Sequence, residues 1–326
     1  MERKKAKTRV VGVDVGLLTT TYAIVDIRGN IIAQESFATG DYPNIDSFVA
    51  VLCDSIFSLI QANGGYEEVR SVGVCCPSSN YLSGCIENSP NMPWKGVIPL
   101  AALMRDRLGL AVALANNSQC IGLGELAFGS AHGMKNFIVI TLGHGMGSCF
   151  FSREKMHLGS DGFAGEIGHC CVVDNGRQCS CGHKGCLETY CSERGVLQTA
   201  REILAESEQP SLMRQVDKLS PKIISEFCEK GDQLAIEVYR RTGEVLGFGL
   251  ANYASVVNPE ALILTGGIPH AGHWLLEPAE QAFNKYVFHN VKGKTRLLVS
   301  MLKDGERDVL GASILAWSVK EYSLFL

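Results

Sequence analysis

The sequence predicts an α/β protein of two lobes, each a mixed sheet flanked by helices. Three observations carry that expectation. The chain has 326 residues, room for two lobes, and 46% of them are hydrophobic, ample for packed cores. It opens with strands joined by a polar turn, the pattern of an antiparallel hairpin. Beyond that opening, short apolar β runs alternate with stretches of helical spacing, the order that builds parallel strands. No period of about 20–50 residues suggests repeats, and no stretch is low in complexity.

Val10–Val15 is an apolar β run, with Asp14 near its end and Gly16 just beyond. Thr19–Thr21 leads into Tyr22–Val25, and turn residues at Asp26–Asn30 lead into Ile31–Phe37. Asn44–Gln61 has helical spacing, with Phe48, Val51, Leu52, Ile56, Leu59 and Ile60 to one side. Val69–Cys75 reads as a buried parallel strand stopped by Pro77. Ile98–Leu108 is a helix closed by Gly109, and Leu110–Leu114 is the next strand. Phe137–Leu142 is a strand followed by Gly143-His144-Gly145-Met146-Gly147. Ser192–Ala205 and Lys222–Lys230 read as helices. A longer one, with Leu234, Val238, Val245, Gly249 and Tyr253 along one face, ends near Val257. Asn258-Pro259 breaks it, Ala261–Thr265 is a strand, and Gly266-Gly267 follows. Trp274–Phe288 is a helix, Leu297–Ser300 an edge strand, and Val309–Lys320 the closing helix.

Net charge is −4, so no general attraction to phosphate backbones is expected. The basic start, ERKKAKTR, is expected to be a disordered tail. No apolar run approaches the roughly 20 residues of a membrane span, and no signal-peptide core follows the start. Thirteen cysteines, an odd number, point to a reducing compartment and a cytoplasmic protein.

The densest chemistry lies between His157 and Glu188, HLGSDGFAGEIGHCCVVDNGRQCSCGHKGCLE. Cys179, Cys181 and Cys186 form a C-x-C-x4-C run in a Gly-rich loop, with His169 upstream. Three thiolates and an imidazole suit tetrahedral zinc, and Gly182 and Gly185 let the chain turn so that the sulfurs converge. The alternative is buried free cysteines packing as small hydrophobes. Glu166, His169 and Glu188 sit among small residues, as groups gripping hydroxyls would.

FAGEIGH followed by CSCGHKGCLE resembles the signature of the ROK family of sugar kinases and sugar-sensing regulators, GEIGH then C-x-CG-x-x-GC-x-E. The resemblance implies the two-lobed actin/hexokinase-like fold with a ligand cleft between lobes. One lobe would cover 1–115, with a helix at about 309–326 packing back on it, and the other 116–308. It implies a structural zinc on His169, Cys179, Cys181 and Cys186, and a sugar pocket around Glu166, His169 and Glu188. NSPNMPW resembles the family's N-x-P-W loop, with Asn91 at the sugar-contacting asparagine. On the nucleotide side, Asp14 and Gly16 fall on the first phosphate loop, D-x-GGT, and Thr19, one residue beyond it, would substitute for its threonine by a one-residue shift. Gly143, His144 and Gly145 fall on the second, L-G-T-G-x-G, and Gly266 and Gly267 on the adenosine segment.

The departures cluster. Leu17 and Leu18 replace the second glycine and the threonine of the first loop, and His144 replaces the threonine of the second. The family's N-D-A-N run, whose aspartate is the general base, reads Asn116-Asn117-Ser118-Gln119. Asn116 matches a sugar-binding position, but Asn117 stands where the base belongs, and an amide cannot accept a proton at neutral pH. The expected reading is a sugar-binding protein for a hexose or N-acylhexosamine, a diverged kinase or pseudokinase. One alternative is an active kinase using ATP and Mg²⁺. The other is a transcriptional regulator without its own helix-turn-helix, hence with no direct nucleic-acid contact. A sugar is the expected small-molecule partner, no membrane partner is expected, and a homodimer follows from family habit.

Overall fold

The structure, a computed structural model, describes residues 7–89 and 92–319. Asn91, most of the basic start and the expected last residue of the closing helix, Lys320, lie outside them. The chain divides into two compact units. One runs through His132 and takes in Gly159–Phe163 and the chain from Met301; the other holds Gly133–Leu158 and Ala164–Ser300.

In the first unit β1 (Arg9–Val15), β2 (Thr19–Asp26) and β3 (Ile31–Ala38) pair antiparallel, as the hairpin pattern predicts. Helix α1 (Ile45–Ala62) follows; Asn44 caps it by accepting from the N–H groups of Asp46 and Ser47. By length and hydropathy α1 passes as a membrane span. Its Phe48, Leu52, Ile56 and Ile60 are buried in this unit's core. β4 (Val69–Cys75) then pairs parallel to β1. A small sheet of β5 (Ser79–Asn80), β6 (Cys85–Glu87) and β7 (Val97–Ile98) precedes α2 (Leu100–Leu108) and β8 (Ala111–Ala115). The main sheet has the order β3-β2-β1-β4-β8. Asn80 Nδ2 donates to Asp161 O at 2.9 Å, which fastens the short 159–163 excursion to this unit.

The expected boundary at residue 115 moves to 132. Sequence motifs at 116–125 hide a helix, α3 (Asn117–Phe128), and it packs on the last helix, α9 (Arg307–Ser318). The two approach so closely that a Cβ on Gly311 would stand 2.0 Å from Cys120 O. α9 also lies on the sheet through a slot made by Gly12 and Gly73, which face each other across β1 and β4. A Cβ on Gly73 would stand 1.9 Å from Ala312 O, and one on Gly12 2.2 Å from Val309 O. Backbone cannot yield as a side chain would, so Gly73→Ala is expected to cost about 1–3 kcal/mol or more. The check is a denaturant midpoint; an unchanged midpoint would mean that α9 docks elsewhere.

The second unit repeats the arrangement. β9 (Phe137–Leu142) and β10 (Met146–Ser152) form a hairpin extended by β11 (Lys155–Met156). After the zinc-like loop come α4 (Glu188–Cys191), α5 (Glu193–Glu206), α6 (Pro221–Glu229) and α7 (Gln233–Val257). β12 (Ala261–Thr265), α8 (His273–Tyr286) and β13 (Arg296–Val299) complete it, in the sheet order β11-β10-β9-β12-β13. The α7 face is broader than its expected stripe: Leu246 and Leu250 are fully buried, whereas Val245 and Tyr253 keep partial exposure. β9, β4 and β12 have the predicted bounds, and the other predicted elements shift by one to three residues at an end.

Candidate functional site

The loop between β11 and α4 brings the predicted ligand set together. His169 ends a single 3-10 turn, Ile167–His169, whose Ile167 carbonyl accepts from the Tyr253 hydroxyl of α7 at 3.0 Å. His169 Nδ1 lies 3.6 Å from Cys179 Sγ, and Cys181 Sγ 3.6 Å from Cys186 Sγ. All four ligand atoms fall within 4.8 Å of one another. Sulfurs about 2.3 Å from a tetrahedral zinc stand about 3.8 Å apart, so the spacing fits the metal. The donor chemistry fits as well. A hydrogen bond from the backbone at His183 leads in holding the Cys181 thiol down at about 6, so that it is ionised at neutral pH. Burial and the neighbouring thiols push Cys186 up to about 12, as expected of sulfurs whose second charge needs a cation. Gly182 and Gly185 take φ of +95° and +76°, the turns the sequence called for.

Arg177, which the sequence reading passed over, pins this loop to α5. Its guanidinium pairs with Glu202 at 2.5 Å, donates to the carbonyls of Thr189 and Gly195, and lies over the Tyr190 ring at 4.5 Å. An arginine inside a glycine- and cysteine-rich loop is its only signal in the sequence.

Glu166 and Glu188 flank the ligand set. Burial raises the Glu166 carboxyl, His169 opposes that, and the like charge of Glu188 adds to it. That coupling puts both His169 and Glu188 within electrostatic reach of Glu166. Glu188 Oε2 also accepts from Met146 N at 2.9 Å, tying α4 to the start of β10. The Gly143–Gly145 loop is closed by Gly143 N–H on Gly145 O at 3.0 Å. Its His144 Nδ1 meets Glu193 Oε2 of α5 at 2.5 Å, so that side chain is held by a carboxylate. Gly266, at φ +101°, lies so near β9 that a Cβ would stand 2.3 Å from Leu142 O. Gly267 has an ordinary φ and open space where a Cβ would be, so local packing does not require glycine there.

In the first unit Gly16 N–H donates to Thr19 O at 3.0 Å, which makes 16–19 a tight turn with Leu17, Leu18 and Thr19 exposed at its tip. Asn116 is the N-cap of α3: its side chain accepts from Ser118 N at 3.1 Å, while Gln119 Oε1 accepts from Asn116 N at 3.1 Å. Its carbonyl oxygen thereby caps the helix. Asn117 opens the helix, and among the described residues its side chain has no hydrogen-bond partner.

Asp14 gains company that only folding supplies. Its carboxylate, the Cys75 thiol and the Asp308 carboxylate at the start of α9 lie within 4.8 Å of one another. Asp14 as a residue keeps some exposure, but its Oδ1 is enclosed and has no hydrogen-bond partner among the described residues. Burial first, then the charge of Asp308, pushes the carboxyl up to about 7, while Cys75 and Arg307 pull it back. The raised value means that the fold prefers the protonated acid. Stability from this group is full below the unfolded value near 3.8 and is lost as pH rises through about 7. Asp14→Asn is therefore expected to flatten the melting temperature between pH 4 and pH 7 and to gain most over the native chain above pH 7. Identical pH profiles for the two proteins would exclude the effect.

The repeated mixed sheet, with helices set between its parallel strands, defines an actin/hexokinase-like α/β protein of two domains. Within that class the chain belongs to the ROK family, which it matches over residues 10–319. It is 30% identical over 320 residues to a glucokinase of Halalkalibacterium halodurans, covering 95% of this chain and 94% of that one. It is 26% identical over 299 residues to a xylose repressor of Caldicellulosiruptor bescii, covering 90% of this chain and 75% of the repressor. Among solved structures, a ROK family glucokinase from Streptomyces griseus in complex with glucose and AMPPNP superposes with a TM-score of 0.79 at 29% identity, over 95% of this chain and all of that one.

Proposed function

We propose that this ROK protein binds a hexose or N-acylhexosamine and has weakened or lost phosphotransfer. The observation that carries the reading is Asn117 at the start of α3, where the family's motif has the aspartate that takes the proton from the sugar hydroxyl. An amide at that point hydrogen-bonds a hydroxyl but accepts no proton, so binding outlives chemistry. The other departures, Leu17, Leu18 and His144, lie on the phosphate-handling side, whereas Asn116, Glu166, His169 and Glu188 are kept. Zinc on His169, Cys179, Cys181 and Cys186 would supply no step of the reaction. It would hold the loop that presents His169 and Glu188. The odd count of thirteen cysteines supports a cytoplasmic setting.

Calorimetric titration with glucose, mannose, N-acetylglucosamine and N-acetylmannosamine tests the reading. At least one sugar is expected to bind, and Glu166→Ala to weaken it about 10–100-fold, the value of a hydrogen bond to a charged group. No binding by any sugar of the panel would sink it. A second reading, an active kinase using ATP and Mg²⁺, is favoured by the glucokinase relatives.

A further inference from the structure

Cys171 belongs neither to the zinc set nor to the sugar residues, yet it faces one of the ligands. An isolated antiparallel bridge pairs Cys171 with Cys186. Val172 N–H donates to Gly185 O at 2.9 Å, and Leu187 N–H to Cys170 O at 3.0 Å. These bonds flank the cysteine pair rather than joining it, which makes it a non-hydrogen-bonded pair. Such partners have Cα atoms about 4.5 Å apart and side chains on one face. A disulfide accepts Cα separations of about 4.4–6.8 Å. A Cβ on Gly185 would meet Cys171 Sγ at 3.1 Å, so this thiol already packs over the backbone leading into Cys186. Cys171 is exposed, Cys186 is fully buried, and neither is in a disulfide.

We propose that Cys171 and Cys186 form an oxidation site, a cross-strand disulfide that withdraws Cys186 from the zinc set and loosens the sugar-binding loop. The co-reactant is a peroxide. Cys171 sulfur attacks the O–O bond, which breaks to give a sulfenic acid and an alcohol, or water from hydrogen peroxide. Cys186 sulfur then attacks the Cys171 sulfur, the S–O bond breaks, and the leaving hydroxide takes up a proton to depart as water. Two sulfurs are each oxidised by one electron and the peroxide is reduced by two. If Cys186 enters as a metal-bound thiolate, solvent supplies the proton it lacks. Glu188 is two residues from Cys186 and accepts from Met146 N, so drawing Cys186 toward Cys171 disturbs the carboxylate assigned to the sugar.

The inference rests on the zinc reading for its consequence but not for the cross-link, and the test separates them. Zinc in the full chain is measured first by elemental analysis. Hydrogen peroxide is then added with a zinc-binding dye present, and the quenched protein is digested with trypsin. The expected product joins peptides 156–177 and 185–194, fragments to a Cys171–Cys186 bond, appears in step with zinc release and reverses with dithiothreitol. Cys171→Ser is expected to keep its zinc and to release it at least tenfold more slowly. A cross-link at Cys181–Cys186, whose sulfurs are also close, or equally fast release from Cys171→Ser, overturns the proposal. So does a zinc-loaded chain that forms no cross-link, and zinc binding survives that result. A zinc-free chain that still forms the Cys171–Cys186 bond upholds the oxidation site and removes the metal.

Discussion

Replacing Asn117 by aspartate is expected to raise sugar phosphorylation by about 10²–10⁴-fold, the usual worth of a positioned general base. The substitution exchanges an amide NH₂ for a carboxylate oxygen at the first position of α3, where the side chain has no hydrogen-bond partner among the described residues to lose. A carboxylate in the first turn also suits the helix dipole, so folding should be unharmed. The assay is mass spectrometry of sugar phosphate after incubation with Mg-ATP and the four-sugar panel. Turnover by the native chain at ordinary enzyme rates would overturn the diverged-kinase reading and require another base. Turnover by Asn117→Asp alone would show that the base was the missing part. Silence from both would place a further fault in the phosphate loops, where Leu17 and Leu18 occupy the exposed turn and His144 is held by Glu193.

The second large effect concerns the metal. Elemental analysis is expected to find one zinc per chain, and Cys181→Ser to lose it. The 326-residue chain has cores of its own, so losing the metal should loosen the loop without unfolding the whole. A loss of about 3 kcal/mol would lower the melting temperature by about 6–12 °C. Sugar affinity should fall further than stability, because His169 is itself a ligand and Glu188 follows Cys186 by two residues. A stable, zinc-free native protein with full sugar affinity would refute the assignment. Arg177 gives a control: Arg177→Ala frees the loop from α5 but leaves every ligand, so it should weaken zinc less than Cys181→Ser does.

The cysteine–histidine cluster was legible because its members lie close in sequence. Three sulfurs within eight residues, with glycines to turn them, leave little freedom in how they converge. Strands were legible wherever apolar runs ended at Gly or Pro, and three of them carry the predicted bounds. Helix α3 was missed because Gly122 and Gly124 depress its propensity and its residues read as a motif. Its capping signal, Asn116 with Gln119 three residues on, was present to be read.

By itself the sequence determined the family, the alternation of strands and helices, the candidate cysteine–histidine cluster and the amide at position 117, since each is a local pattern of residue type and spacing. Only the tertiary structure decided that α3 joins the first unit, that Gly12 and Gly73 form the slot for α9, and that Asp308 and Cys75 crowd Asp14. It likewise set Cys171 opposite Cys186. The physical reason is range. Those contacts depend on how closely backbones approach across packed elements and on burial that shifts a carboxyl, and neither leaves a mark in the spacing of neighbouring residues.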